Sequence, residues 1–547
     1  MLARHFVLAI ESEVGQRKLL AFDGEIADDE VRLGSFGFHY KERMMASSTT
    51  SQVEFSELEE LVDRLKSTVQ KALEEGRPVD QLEQEVFNQL LGLGHSLMGS
   101  LFAAMKEGDV GPTVEKNGKT LRRLPQKFHR TYYSIFGKFD IHRCGYGTRM
   151  GQKKQAIPFD EHLGMPDHPF SLLLESWLGQ FATGASYQEA RDKLEQILGV
   201  QINMDSAERI AERLGKVGAS VLDSPPPIDP GTEGEILVQT SDNKGVVMRH
   251  EFPAETPQPV GAPIAARGPT PNRKRMAAMA GVYSIDRNPR TCTQIIDMLF
   301  HTSEVAPPET KPPKPCNPRY YACVTQVDKN GQCVGKSAEE QAQAWMTYAT
   351  IMRRQPGQTL VIMHDGQASL WEQADQYHQG WEKVEILDLL HVIPRVWEAG
   401  KLLHPEALET FVKERLTMIL LGGVGMVISG LKRMASMHDL SVGDRQKLST
   451  ITNYMETNRS RMKYDQYLLA GLPIATGFIE GACRHVIKDR LERTGMRWTR
   501  QGAQTMLTLR CIEASRLWKP LMNKYRSQTL DHHGGRKNYY DSLCTAA

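Results

Sequence analysis

The sequence predicts a mixed α/β protein, with a mixed five-stranded sheet flanked by helices, an all-helical insertion, and a helical and basic region ahead of the sheet. Three observations carry that prediction. The chain has 547 residues, 40% hydrophobic and 24% charged, the composition of an ordinary globular protein large enough for several domains. Between residues 234 and 403 strand-like and helix-like patterns alternate. From 404 to 475 the pattern is rich in Leu, Met and helix formers, and no strand period is present.

Residues 1 to 50 show no sustained periodicity. In FSELEELVDRLKSTVQKALEEG, the residues Phe55, Leu58, Leu61, Val62, Leu65, Val69 and Leu73 recur at helical spacing, which predicts helix over 54 to 106 as a hairpin or an oligomerisation element. The charge then changes sign. From Val114 to Lys154 there are 11 Lys/Arg against 2 Asp/Glu, interleaved with Phe128, Tyr132, Tyr133, Phe136, Phe139 and Tyr146. Alternation in KFHRTYYSIFGKFDIHR predicts a strand pair turning near Gly137. Such a ribbon is either a surface for a nucleic-acid backbone or a solvated hairpin with its aromatics packed inward. Helices follow over 169 to 221. One opens on a capping box, Ser186 with Glu189, and a second starts around Asp205 and Glu208. The pair reads either as a DNA-reading helix-turn-helix or as a plain helical hairpin.

After the linker SPPPIDPGTEG, EILVQTSD reads as a strand, Asn-Lys-Gly as a tight turn and VVMRHEF as a second strand. A Pro-rich, basic excursion (253 to 275) precedes a third strand, RMAAMAGVYSID. Beyond the loop 305 to 318 come an extended piece (YYACVTQV), a helix over 336 to 354, the buried strand QTLVIMHDG, a further helix, and KVEILDLLHV running from strand into helix. Three meandering strands followed by alternating helix and strand is the order of an RNase H-like core. The domain reading is therefore 1–112, mostly helical; 113–223, a DNA-binding region; 234–403, the first part of a catalytic core; 404–475, the helical insertion; 476–520, the C-terminal helices of the core; and 521–547, a polar tail.

The net charge is +1, so overall charge gives no support for a nucleic-acid partner, and only local placement of charge can. Eight cysteines without a C-x-x-C pair suit reduced thiols rather than a zinc site or a disulfide framework. The uncharged stretch Leu416 to Leu431 is shorter than the roughly 20 residues of a membrane span. It predicts a buried helix broken near Gly422 and Gly423. No signal peptide is visible, and a soluble, cytoplasmic protein is expected.

Three acids fit metal-assisted phosphodiester chemistry, which needs carboxylates converging from different elements. Asp242 is placed at the close of the first core strand. Asp365 closes LVIMHD just before Gly366. Glu480 lies on the last helix, in TGFIEGACRHVIKDR. Taken singly, each also reads as a turn acid or a helix-start acid. After Glu480, the basic residues Arg484, Lys488, Arg490, Arg493, Arg497 and Arg500 face only Asp489 and Glu492. Arg484 and Lys488, four and eight residues on, would share the helix face of Glu480 and suit a phosphodiester backbone. Asp388 and His391 form a D-x-x-H step in ILDLLHVIPRVW.

The runs HDGQASLW, ILDLLHVIPRVWEAGKLLH and EGACRHVIKDRLERTGMRWTRQGAQTMLTLR resemble the bacterial insertion-sequence transposases of the ISKra group, of the DDE class with an RNase H-like catalytic domain. The resemblance covers about 120 to 520. It implies that Asp365 is the second catalytic aspartate and that Glu480 is the glutamate ahead of a signature with Gly495 and Trp498. Asp242 is the best match to the first aspartate, with Asp242-Asn243 where the family often has Asp-Gly, and Asp286 and Asp229 are its competitors. Asp388 and His391 match the D-x-x-H feature and would brace the site through an aspartate–histidine contact. The resemblance further implies two Mg²⁺ ions, with Mn²⁺ able to substitute, held by Asp242, Asp365 and Glu480. The DNA would lie on Arg484, Lys488, Arg490 and Arg497. The implied partners are double-stranded DNA, at element ends and target, and further copies of the chain, at least a dimer. The implied place of action is the bacterial cytoplasm at the nucleoid. Two rival readings stand beside it: a nuclease or resolvase on the same core, and a transposase-derived DNA-binding protein without catalysis.

Overall fold

The computed structural model describes residues 56–116, 118–148, 154–249, 274–300, 312–328, 333–493 and 495–532. The expectations for residues 1 to 50, for the basic excursion up to residue 273 and for the tail beyond residue 532 lie outside these. Internal contacts divide the chain into two units. Of the described residues, 110–124 and 146–156 belong to the first, and the others to the second.

In the first unit, β1 (Thr113–Lys116) pairs antiparallel with Lys119–Arg122, the start of β2 (Lys119–Ser134), across a left-handed Gly118. Tyr146, at the end of β3 (Gly137–Gly147), is fully buried here. Its hydroxyl accepts from the amide of Val110 at 3.0 Å and donates to the carbonyl of Gly111 at 2.9 Å. Lys119, Arg122 and Arg123 are exposed on this unit.

The second unit begins with two helices, α1 (Ser56–Glu75) and α2 (Val79–Ala104). The sequence pattern runs unbroken over 54 to 106, but the backbone does not. Gly76 takes a left-handed conformation that ends α1, and Pro78 holds the next residue back from helix. The ribbon turns at Gly137, at φ +114°, as its sequence predicts. Its aromatics point inward: Phe139 is buried, edge-on to Phe102 and stacked on His95. Its cations in this unit are spoken for. Arg130 and Arg143 converge on the buried Asp160, Lys127 pairs with Glu107, and Lys138 pairs with Asp140. Of the two readings of the ribbon, the inward-packed hairpin describes this part.

Behind the ribbon come α3 (Pro158–Leu163), α4 (Leu172–Gly184), α5 (Tyr187–Leu198) and α6 (Met204–Asp223). The capping box at Ser186 and Glu189 is present in both directions. The start of α6 differs from expectation: Asn203 is the cap, accepting from the amide of Ser206 at 2.7 Å, and Asp205 lies inside the first turn. Nor is α6 a free reading helix. Ile210, Leu214, Val217 and Val221 are buried in one core with the C-terminal helices α16 (Arg500–Ala514) and α17 (Trp518–His532). Its exposed charged positions, Asp205, Glu208, Arg209, Lys216 and Asp223, carry no excess of positive charge. A fully buried Glu175 on α4 ties these helices together, bonded to Arg213 of α6 and to the Tyr525 hydroxyl of α17 at 2.6 Å. Burial pushes Glu175 up to about 7 and the adjacent His168 down to about 4.

The central sheet has five strands: β4 (Ile236–Val247), β5 (Lys274–Ile285), β6 (Cys316–Val324), β7 (Thr359–His364) and β8 (Val384–Leu387), in the order β6-β5-β4-β7-β8. β5 runs antiparallel to both of its neighbours, β4 and β6, while β4, β7 and β8 run parallel. The expected Asn-Lys-Gly turn is absent. β4 runs straight through Asp242-Asn243-Lys244-Gly245, because β5 is long enough to pair with it from Ile236↔Ile285 to Val247↔Lys274. The three meandering strands are therefore β4, β5 and β6, and the extended piece YYACVTQV supplies the third.

One face of the sheet is covered by α8 (Ala338–Arg353) and α9 (Ala368–Tyr377). The other packs on α10 (Leu389–Leu403), the helices that follow it, and α15 (Gly477–Ala482). A shorter helix, α7 (Cys292–Phe300), leads away from β5. Residues 404–475 fold as α11 (Leu408–Leu420), α12 (Val424–Met437), α13 (Val442–Thr457) and α14 (Tyr464–Leu469), with the break between α11 and α12 at Gly422 and Gly423. Among the described residues no helix is long and apolar enough to cross a membrane.

Arg130, Arg143 and Asp160 are each about nine-tenths or more buried, so the carboxylate is what makes two interior guanidinium groups tolerable. Asp160→Asn is expected to lower unfolding free energy by about 3–5 kcal/mol, as for other broken buried ion pairs. Denaturant unfolding followed by circular dichroism measures this, and a loss within ~0.5 kcal/mol, the scatter of surface substitutions, would show that the trio carries no such weight.

Candidate functional site

The parallel pairing of β4, β7 and β8 fixes the site. β4 and β7 run in register from Ile236↔Thr359 to Thr240↔Met363, and β7 and β8 from Val361↔Val384 to His364↔Leu387. Carried on by one or two residues, the same registers set Asp242 beside Asp365 and Asp365 beside Asp388. Two bonds hold the extension. Ser241 Oγ lies 3.1 Å from His364 Nδ1, and the Asp388 amide donates to the His364 carbonyl at 3.0 Å. Side chains alternate along a strand, so residues two apart share a face. Ile236, Val238, Val361, Met363 and Ile386 belong to the cluster under the insertion, while Leu360 and Ile362 pack against Trp371 of α9. Asp242, Asp365 and Asp388 therefore form one row on the insertion face, at the C-terminal ends of three neighbouring strands. Asp286 and Asp229, the competitors of Asp242, lie at the other end of β4. Ile285 is the partner of Ile236, and Asp229 caps the turn at Gly231.

Glu480 comes to this row from the opposite direction. The segment LPIATG leads from the insertion into α15, and Asp388 anchors it there. The Asp388 carboxylate, 1% exposed, accepts from the amide and hydroxyl of Thr476, each at 3.1 Å, and from the amide of Leu390 at 2.8 Å. Four residues further on, Glu480 meets His391, Nε2 to Oε1 at 3.6 Å. The D-x-x-H pair divides its contacts: Asp388 fixes the start of the glutamate helix, while the charge of His391 acts both on Asp388 and on the glutamate itself. The reason is the strand-to-helix turn, in which Asp388 caps α10 and so points back along the strand ends, while His391 lies one turn into the helix.

The electrostatics record the crowding of acids. Partial burial, then the charge of Asp388 and more weakly that of Asp242, raise the Glu480 carboxyl above its ordinary range, while His391 pulls it down. Burial also raises Asp388, against the pull of the Leu390 and Thr476 amides. Cys483 adjoins Asp242, and burial together with that carboxylate holds its thiol protonated. As placed, Asp242 Oδ1 accepts from the Asn243 amide at 2.7 Å and Asp365 Oδ1 from the Gln367 amide at 2.8 Å. Among the described residues, no three His, Cys, Asp or Glu side chains stand close enough to hold one metal ion.

Sequence reasoning missed the insertion's contribution. Tyr454 of α13 donates its hydroxyl to the carbonyl of Asp365 at 2.7 Å, and its ring sits where a Cβ on the left-handed Gly366 would be, 2.7 Å away. Arg395 of α10 stacks over that ring at 3.7 Å. No local spacing announces these contacts, since Tyr454 lies 89 residues from Asp365.

The basic row is divided. Arg484, Lys488 and Arg497 are exposed. Arg490 is 1% exposed and lies over Trp498 and Tyr187, with its Nε bonded to the Ala182 carbonyl, so it cannot meet a phosphate. Its sequence neighbours are charged, but the chain turns it into the helical core. The shared face argued for Arg484 and Lys488 also changes, because Cys483–Lys488 form one turn of π-helix. The wider turn advances the phase, so a four-residue step no longer returns to the Glu480 face. Trp498 closes the far end of β4: its amide donates to Val247 and its carbonyl accepts from Arg249 at 2.7 Å.

Removing the nearest negative charge should ease ionisation of Glu480. Asp388→Asn is expected to lower its pKa toward the ordinary glutamate range, and Asp242→Asn to lower it by less. Titration of ¹³C-labelled glutamate side chains by NMR reads both, and an unmoved Glu480 in Asp388→Asn would refute the proximity described here.

Comparison of the chain with protein-family models and with curated proteins finds no match. Among solved structures the chain is similar to the Drosophila P element transposase strand transfer complex, with a TM-score of 0.22 and 11% identity over 66% of this chain and 83% of that one, a likeness too slight to carry an argument about fold or chemistry.

Proposed function

We propose that the chain is a DDE-type transposase of a bacterial insertion sequence, acting on DNA phosphodiesters through Asp242, Asp365 and Glu480. The observation that carries this reading is the in-register row of Asp242, Asp365 and Asp388 with Glu480 in its electric field. The strand order, three antiparallel strands followed by two parallel ones, supports an RNase H-like core.

Hard carboxylate oxygens suit magnesium in chemistry, and a cation would offset the crowding of acids at Glu480, whose carboxyl is raised first by burial and then by the Asp388 charge. Asp242, Asp365 and Glu480 would hold it once drawn together, since as they stand no three such side chains among the described residues are close enough to share one ion. Bound there, such ions would supply activation of an attacking oxygen and neutralisation of a leaving one, and Mn²⁺ would serve in their place. Asp388 sets the start of the Glu480 helix, Tyr454 sets the turn that presents Asp365, and His391 steadies the Glu480 carboxylate. Arg484, Lys488 and Arg497 remain as exposed cations for a phosphodiester backbone. In the reaction, water attacks the phosphorus that joins the element's last nucleotide to its flank, and the bond from that phosphorus to the element's 3′-oxygen breaks, leaving the phosphate on the flank and a 3′-hydroxyl on the element. The freed 3′-hydroxyl then attacks a target phosphate, releasing the target's own 3′-oxygen, with no covalent enzyme intermediate. Joining two ends calls for at least two copies of the chain, working on double-stranded DNA in the bacterial cytoplasm.

Purified protein with Mg²⁺ and a labelled fragment bearing its own element's end should give cleavage and a joined product. Glu480→Gln should lose both by about 100-fold or more, the scale of losing one charge-stabilising group. Cleavage without joining would favour a nuclease, and salt-sensitive binding with neither activity a DNA-binding protein without catalysis.

A further inference from the structure

Glu339, an acid outside the carboxylate row, is tied to two of the row's aspartates through a single residue each. The amide of Asn243 donates to Asp242 Oδ1 at 2.7 Å, and the amide of Gln367 donates to Asp365 Oδ1 at 2.8 Å. The carboxamides of the same two residues then converge on one atom. Asn243 Nδ2 donates to Glu339 Oε1 at 2.6 Å, and Gln367 Nε2 donates to that oxygen at 2.8 Å. The two also meet each other, Asn243 Nδ2 to Gln367 Oε1 at 3.2 Å, and Gln367 reaches Ser369 Oγ at 2.6 Å. Asn243 and Gln367 therefore each hold an aspartate with the backbone and Glu339 with the side chain.

Glu339 comes from a third segment. It lies in the first turn of α8, 96 residues from Asn243 and 28 from Gln367. Alternation along β4 turns Asn243 to the α8 face, opposite Asp242, which is how one helix start reaches both strand ends. A first-turn acid is favoured at any helix start by the dipole, and Ser337 already caps this one by accepting from the Glu340 amide at 3.2 Å. Neither fact requires the Glu339 carboxylate to collect two carboxamides from other elements. One residue before each aspartate the strands are tied again, by the buried pair Ser241 and His364. The aspartates are thus bracketed by cross-links where the regular pairing of β4 with β7 has ended, at Thr240 and Met363.

On the reading of the row as a divalent-cation site, we propose that Glu339 is its positioning residue, one oxygen setting the separation of Asp242 and Asp365 through Asn243 and Gln367. Hydrogen bonds to a charged acceptor are roughly twice as strong as neutral ones, so a single carboxylate can hold both carboxamides. Glu339 acts from the opposite face of the sheet and does not touch the ion. Removing a group that orients a metal's ligands lowers affinity for the metal by about 10–100-fold.

Binding of Mn²⁺ to the full chain, followed by the electron paramagnetic resonance signal of the free ion, tests this without DNA or catalysis. The natural chain should bind Mn²⁺ in a way that Asp365→Asn abolishes. Glu339→Ala should weaken that binding by about 10-fold or more, with Glu339→Gln, which keeps an acceptor oxygen, in between. Gln367→Ala breaks the link from its other end, at an exposed position that makes no side-chain cap to α9. It should weaken Mn²⁺ binding with an unchanged melting curve, and it carries the test if Glu339→Ala does not fold. Unchanged binding in a folded Glu339→Ala, or in Gln367→Ala, overturns the role of Glu339 and leaves the cation site standing. A natural chain without Asp365-dependent Mn²⁺ binding overturns both that role and the cation site.

Discussion

The parallel pairing of β4 with β7 and of β7 with β8 is the constraint on which the rest of the site depends. Acidic side chains of separate segments, 123 and 23 residues apart, become neighbours only because two registers are held without a slip. A shift of one residue in either would turn one aspartate to the opposite face, into the packing of α8 and α9. That register is specified by burial on both faces. Val238, Val361 and Met363 fill one side and Leu237, Leu360 and Ile362 the other, all almost wholly removed from water. The carboxylate row then sits where the apolar packing of that face gives out, between the cluster under the insertion and the cluster that takes in Val246, Ile479 and Cys483.

The second constraint is that the glutamate arrives on a segment anchored to the row itself. Asp388 spends its carboxylate on Thr476 and Leu390 and so converts a strand end into a fixed point for the start of α15. The insertion is not a passive excursion between the two parts of the sheet domain. Through Tyr454 it grips the Asp365–Gly366 turn, and Arg395 of α10, stacked on that tyrosine, brings a cation to the same corner. Substituting Gly366 would strain the backbone and displace that tyrosine at once.

Much of this was legible in the chain. The strand-then-aspartate pattern of LVIMHDG, the helix break at Gly422 and Gly423, the capping box at Ser186 and the turn at Gly137 all rest on local chemistry, and the structure follows them. What local chemistry could not supply was tertiary. Asn-Lys-Gly has the composition of a turn, yet β5 offers a full-length partner and the strand continues. Arg490 reads as one of a basic series, yet a π-helical turn and the Trp498 clamp roll it into the core. The ribbon's cations look free in sequence, and in the second unit Asp160, Glu107 and Asp140 have claimed them. The D-x-x-H step was visible as a pair, while its division of labour needed Thr476 and Glu480, which are 88 and 89 residues away from Asp388 and His391.

Whether the segments bearing Asp242, Asp365 and Glu480 share one cation can be read from cleavage of the chain itself. Ferrous iron in place of Mg²⁺, with ascorbate and peroxide, generates radicals that cut the polypeptide next to the bound ion. If they do, cuts cluster near residues 242, 365 and 480 together and are suppressed by excess Mg²⁺. Cuts near only one of the three, or at sites that Mg²⁺ does not protect, would contradict a shared cation.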